Sequence, residues 1–400
     1  MTDNEKLIKY LFIVSVIGAG KERIWQLLDT FGSPVRLYDA LIKAANSDNN
    51  GIFNNDELKN AKRTHTVQLD GIISYCESHN IGILCFDDAD YPQKLLGITN
   101  PPFLLFYKGN ADILNNNVII TVVGARSLSQ YSRSAAEAIA KTAAENGIAV
   151  ASGFAVGTDI TAQLAAADTG GKVISVLGCG IDYDYPAENI MYRDRLLSNG
   201  VFISEYFPQT AAKPPLFIAR NRILTGLAVG TVIIEASEKS GSLNSAECTV
   251  SQGRDLWVVP PHDIFDPRYE GNKILLKSGA MPLCSPYDIV GEYFENHHHK
   301  SVGKNNADNI SLSKTDNKND SAHIVQKPKA QNTEPEKAAP QLDERAEIIY
   351  NILISSPSPV SADEAAEAAD MDIMEVLSIL TDMEIDGIVS SDMGDRYYIT

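Results

Sequence analysis

The sequence predicts an α/β protein whose core is a parallel-rich sheet, with a small helical unit before it and another small unit after it. Three observations predict this. Between about residue 80 and residue 290, short continuously apolar runs alternate with helical stretches, which is how strands buried on both faces read. Turns marked by glycine and arginine close several of those runs. A polar stretch poor in large apolar residues, 293–340, then separates this region from the last sixty residues and has the composition of a disordered linker.

The first element is a helical unit over 1–75. Leu7, Leu11 and Val14, and then Ile24, Leu27 and Leu28, recur at helical spacing. Between them lies Ile17-Gly18-Ala19-Gly20-Lys21, which resembles a helix-hairpin-helix or SAM-like module. Such a hairpin can offer backbone N–H groups to a DNA phosphate. It can equally be a tight helical turn, with glycine where φ is positive.

The core occupies 76–292. Strands are expected at 81–86, 118–123, 148–151, 172–177, 201–204, 231–235 and 256–259, with helices at 130–146, 159–168, 190–198, 217–228 and 243–252. His297-His298-His299 opens the linker and reads as a solvated run, because adjacent side chains on a flexible segment do not preorganise a metal site. Residues 341–400 read as a winged helix. Ile348, Ile349, Ile352 and Leu353 mark one helix, Ser361 and Glu364 the capping box of a second, and Val376, Leu377 and Leu380 a third. Gly387-Ile388-Val389, a turn at Gly394 and Tyr397-Tyr398-Ile399 complete it as a hairpin.

The net charge is −18. Most of it is local: residues 341–400 hold 2 basic and 14 acidic residues, whereas 108–285 hold 15 and 17. The core can therefore carry a cationic pocket, since a local field follows where the charges sit. The acidic last unit opposes direct phosphate contact and suits a protein partner or a regulatory role. Five scattered cysteines, odd in number and without a CxxC pair, fit a reducing cytoplasm. No apolar stretch is long enough for a membrane span, and the first residues lack a signal peptide's basic start.

The residues expected to carry function sit in the turns. After the strand at 118–123 comes Gly124-Ala125-Arg126; its amides and guanidinium suit a phosphate. Ser152, Gly153 and Gly157 form a second loop, ahead of Asp159, which reads as a helix cap. Gly178-Cys179-Gly180 closes a third strand. Arg220-Asn221-Arg222 follows Pro214-Pro215 where a helix begins, and arginine there opposes the helix dipole. Either it binds an anion or it forms an internal salt bridge, with Glu235 a candidate partner. Ser240-Gly241-Ser242 precedes another helix and suits an anion or a plain cap. There is no P-loop, no GxGxxG, no GxSxG and no HExxH, so no cofactor or metal is expected. Asp182, Asp184 and Glu188 read as a solvated loop or cap rather than a cation site.

Taken in order, these motifs resemble the DprA/Smf family of bacterial DNA-processing proteins. The likeness runs from Tyr91-Pro92, Pro101-Pro102 and Tyr107-Lys108-Gly109-Asn110 through the turns above to Gly253-Arg254 and Gly279-Ala280. It departs at Ala125, Ser132, Gln163, Ile218 and Pro261, where the family usually has serine, glycine, histidine, proline and glycine. The resemblance implies an extended Rossmann-like core that binds single-stranded DNA, dimerises, and hands the strand to a RecA-type recombinase in natural transformation, without catalysis. Phe154 or Tyr185 would stack on bases, with Phe154 equally a candidate for the core. Two rivals are a nucleotide hydrolase of the phosphoribohydrolase kind, with Glu235 as its acid or base, and a nucleotide-sensing module.

Overall fold

The computed structural model describes residues 3–46, 51–293 and, within 344–399, all but 357–359, 370, 372, 374, 377–378, 381–382, 384–387 and 392–395. The expected linker beyond Tyr293, the three consecutive histidines, Leu377, Gly387 and Gly394 lie outside the described residues. Two compact units result, Met1–Ile310 and Ser311–Thr400.

The larger unit is built on nine strands: β1 (Gly82–Cys85), β2 (Leu104–Gly109), β3 (Ile119–Val123), β4 (Ala149–Ser152), β5 (Val173–Val176), β6 (Gly200–Ser204), β7 (Gly230–Ile233), β8 (Asp255–Val258) and β9 (Met281–Pro282). Their order is β1-β2-β6-β5-β4-β3-β7-β8-β9. All neighbours from β6 to β9 pair in parallel, and β1 and β2 add an antiparallel edge. The buried strands carry Ile, Val and Ala on both faces, as helix-covered sheets require. Sequence reading placed seven of the nine. It missed β2, which follows Pro101-Pro102 and reads as loop, and β9, two residues long with a proline, which only a sheet edge tolerates.

From β3 the chain steps outward to β4, β5 and β6, then returns across the sheet to lay β7 against the other side of β3. This reversal opens a crevice beyond the carboxyl ends of β3 and β7. Helices Gln130–Glu145, Thr158–Asp168, Pro214–Leu227 and Ser242–Ser251 follow β3, β4, β6 and β7. The helix expected at 190–198 divides into a 3₁₀ turn, Ala187–Tyr192, and a short helix, Arg193–Leu197. Helix Glu270–Lys277 was not anticipated.

Five helices, Asp3–Ile17, Arg23–Phe31, Pro34–Asn46, Asn55–Arg63 and Thr66–Ser78, form the amino-terminal part. Tyr10 through Val14 are all buried. Tyr10 stacks on Phe103 and Trp25 meets Phe86 edge-on, each pair 5.0 Å between centroids, so these helices share their core with the β1–β2 edge. Gly18 and Gly20 have φ of 106° and 70°, which a tight turn and a phosphate loop share; the carboxylate beside Gly20 makes this one the tight turn. Its Gly20 lies against Glu205 of the sheet core, whose carboxylate would be 3.0 Å from an added Cβ.

In the smaller unit, helices Glu344–Ser355 and Ala362–Ala369 accompany a sheet of β10 (Val360–Ser361), β11 (Val389–Ser391) and β12 (Arg396–Ile399) in the order β10-β12-β11. Ile349, Ala365, Val376 and Leu380 are fully buried. The Ser361–Glu364 capping box forms both of its bonds, at 2.8 and 3.2 Å.

Candidate nucleic-acid interface

A cleft of about 530 Å³ occupies the crevice where the strand order reverses. Its first wall is the turn after β3. Gly124 has no room for a side chain, since a Cβ would sit 2.5 Å from Thr158 Oγ1. Gly157, at φ 88°, would strike the carbonyls of Ala125 and Arg126. The two loops therefore interlock, and Thr158 seals them by donating both its N–H and its hydroxyl to the Ala125 carbonyl at 3.1 Å. Arg126 projects from this fixed turn into the cleft. It is exposed, and among the described residues it has no hydrogen bond or ion pair.

The second wall is held from beneath by Asp159. Its carboxylate accepts the N–H groups of Gly153 at 2.9 Å and Ala155 at 3.3 Å, while Gly157 takes the cap position of the helix. Burial pushes the Asp159 carboxyl up and the nearby Arg220 guanidinium opposes that shift. Arg220 is itself buried, which lowers its proton affinity against the pull of Asp159. It donates to the Val176 carbonyl, and its Nε has no partner. Its guanidinium fills the space over Gly153, where a Cβ would lie 2.3 Å away. Arg220 and Arg126 thus reach one cavity from opposite walls.

The first turns of helices Pro214–Leu227 and Ser242–Ser251 complete the cleft. Neither N-cap residue, Lys213 or Gly241, makes a side-chain cap bond, although Ser240 Oγ accepts the Ser242 N–H at 3.3 Å; the positive dipole ends of both helices favour an anion there. Ser240 and Ser242 share a hydroxyl bond of 2.6 Å, and Asn221 bonds Asn244 at 3.1 Å. Tyr185 and Phe217 stand on the apolar side with ring centroids 5.3 Å apart. A recess of about 50 Å³ adjoins the cleft, bounded by Arg126, Gly153, Gly178, Tyr185, Phe217 and Arg220. Gly178 leaves the space that Phe217 fills.

Of the residues expected from sequence, Gly124, Arg126, Arg220, Asn221, Ser240, Gly241 and Ser242 line the cleft, and Gly153 and Gly178 line the recess. Four others do not. Ser152 is buried and donates to the Val122 carbonyl at 2.6 Å. Gly157 packs on the Arg126 backbone, and Gly180 on the backbone of Gln209 and Thr210. Arg222 points away from the cleft and holds Glu205, rather than Glu235, at 2.6 and 2.7 Å. Phe154 is core, edge-on to Phe202. Glu235 is buried and accepts the Ser129 N–H at 3.1 Å; it does not line the cleft. Asp182 accepts Tyr75 O–H and Gln209 N–H, as a loop staple. Sequence reading missed Phe217 as a wall and Asp159 as the organiser of the second loop. An acid six residues past a glycine that begins a loop was the available signal for the latter.

Residues 82–294 match the family described as DNA recombination-mediator protein A, and residues 333–395 match the DprA winged helix domain. The chain is 37% identical over 206 residues to the DNA processing protein DprA of Streptococcus pneumoniae, covering 52% of this chain and 72% of that one. It is 31% identical over 235 residues to the Bacillus subtilis protein of the same name, covering 59% and 79%. Among solved structures, the X-ray structure of the Streptococcus pneumoniae protein superposes with a TM-score of 0.63 at 30% identity, over 73% of this chain and 98% of that one.

Proposed function

Because the chain belongs to the DprA/Smf family of DNA-processing proteins, we propose that its cleft holds the sugar–phosphate backbone of single-stranded DNA. The observation that carries this reading is Arg126: an exposed guanidinium without an acidic partner among the described residues, set beside Arg220 and two helix starts. A cation left open in this way gains most from an anion. Duplex DNA, with a persistence length of about 150 base pairs, resists bending into a small crevice; a single strand does not. Tyr185 and Phe217 offer faces for bases, each worth about 1–3 kcal/mol where stacking occurs.

The rest of the role follows the family. The protein would bind DNA without catalysis, act as a dimer through the core, and pass the strand to a RecA-type recombinase in natural transformation, in the cytoplasm. Support for dimerisation comes from a groove of about 670 Å³ on the β8–β9 side, where Val250 is 62% exposed beside Leu275 and Met281. A dimer would multiply weak contacts along one strand. No described helix is long and apolar enough to cross a membrane. Glu235, the acid or base of the hydrolase alternative, spends its carboxylate on Ser129 outside the cleft.

The test compares wild type and Arg126→Ala in binding single- and double-stranded oligonucleotides over a salt series. The variant is expected to bind single strands about 10–100-fold more weakly, as loss of a charge-assisted bond predicts, with its melting temperature unchanged. Its salt slope should fall by about 0.7, the value for one phosphate contact on a single strand. Wild-type affinity in the variant overturns the reading, and tight binding of mononucleotides alone favours nucleotide sensing.

A further inference from the structure

The glycine hairpin of the amino-terminal helices and the second arginine of the Arg220–Arg222 segment are both absent from the cleft, and they meet each other. Arg222 grips Glu205 with two parallel bonds of 2.6 and 2.7 Å. Its Nε donates to the Asn100 carbonyl at 2.9 Å. Asn100, held at a φ of 55°, donates through its side-chain amide to the Gly20 carbonyl at 2.8 Å. The Asn100 side-chain oxygen is buried without a partner, so the residue sits where the network needs its amide. Trp25 adds a bond to the Pro101 carbonyl at 2.8 Å. On the far side, Gln252 holds the Arg222 carbonyl at 2.9 Å. One continuous chain of bonds thus runs from the hairpin to the helix Pro214–Leu227, which also carries Arg220, Asn221 and the cleft wall Phe217.

We propose that Gly20, Asn100, Arg222 and Glu205 form a latch through which the amino-terminal helices fix the helix bearing Arg220, so that they set the affinity for single-stranded DNA without touching it. These are positioning residues. The proposal rests on the cleft being the DNA site. A charged pair with two parallel bonds fixes distance and plane together, and its near-total burial makes alternative arrangements costly. Rotating the helix by even part of a turn would move Arg220 off Gly153.

The experiment uses the full chain, oligothymidylate as the probe, and fluorescence anisotropy across a salt series. Two variants are made. Arg222→Lys keeps the charge and loses the fork. Gly20→Ala leaves every charge in place and pushes a methyl group towards Glu205. In protein shown to be folded at the assay temperature, each is expected to raise Kd about 3–10-fold, the size of effects carried through such networks, while the salt slope stays at the wild-type value. A purely structural role would lower the melting temperature and leave the Kd of the folded protein alone. A Kd within about twofold of wild type overturns the latch. So does a slope lowered in Arg222→Lys by as much as in Arg126→Ala, since Arg222 would then be touching phosphate. Should Arg222→Lys fail to fold, Gly20→Ala decides. Wild-type binding by Arg126→Ala would instead end the cleft reading itself, so the two failures are distinguishable.

Discussion

Arg126 and Arg222 belong to the same few turns of sequence pattern and end in opposite electrostatic situations. Arg126 is exposed, unpaired among the described residues, and faces a cleft. Arg222 has 13% of its side chain exposed and is clamped to a Glu205 with 2% exposed. One arginine has its charge left open; the other is neutralised at close range. Residue type alone does not separate them. The partner does, and the partner comes from another strand end: Glu205 directly follows β6, whereas the turn after β3 packs on Gly157, the Thr158 hydroxyl and the backbone of Glu235, none of which offers Arg126 a carboxylate. A binding arginine is thus recognised by what the fold withholds from it.

The largest effect that would sharpen this contrast is on stability. Glu205→Ala leaves the Arg222 guanidinium buried and uncompensated, and breaking one side of a buried pair costs about 3–5 kcal/mol. Chemical denaturation should show that loss, whereas Arg126→Ala should stay within about 0.5 kcal/mol of wild type, as surface changes do. Equal stability losses in the two variants would erase the distinction.

Ser152→Ala tests the contrast at smaller amplitude. The hydroxyl is spent on the Val122 carbonyl inside the sheet, so its loss should cost about 1 kcal/mol and leave the single-strand Kd unchanged. A weakened Kd at full stability would return Ser152 to the cleft, where its place in a Ser-Gly turn first suggested it.

The same residues show what was legible from sequence. Continuous apolar runs gave seven of the nine strands, the parallel β3 to β8 among them, because burial on both faces is written into such runs. The turns gave the cleft because ligand crevices form at strand carboxyl ends, and Gly124, Gly153 and Gly178 mark places where the Thr158 hydroxyl, the Arg220 guanidinium and the Phe217 ring come too close for a Cβ. Direction was not legible. Whether Ser152 points in or out depends on strand pleat and register, and a one-residue shift reverses it. The Arg222–Glu205 pair spans 17 residues, and its link to Asn100 spans 122; no local pattern encodes such partners. The hairpin glycines were read with two meanings because positive φ serves a turn and a phosphate loop equally, and only the carboxylate packed against Gly20 decides.

Lys94 completes the comparison as a third kind of cation. It is largely buried, like Arg222, and like Arg126 it has no carboxylate within ion-pair reach among the described residues; its ammonium donates to the Asn117 carbonyl at 2.9 Å. Burial, with Arg254 adding repulsion, pushes its pKa down to about 8 from the ordinary 10.5. The sign of the consequence follows. Below pH 8 the amine is protonated in both states, and the folded state bears the full cost of desolvating it. Between pH 8 and 10.5 the unfolded chain holds the extra proton, so this residue's contribution to stability improves as pH rises. Lys94→Met removes the charged group, and it should be more stable than wild type by of order 1 kcal/mol at pH 7, with the advantage shrinking towards pH 10. Paired thermal melts at several pH values read that difference directly. An advantage independent of pH would mean that packing, rather than an unpaired charge, sets it, and Lys94 would then belong with the compensated cations after all.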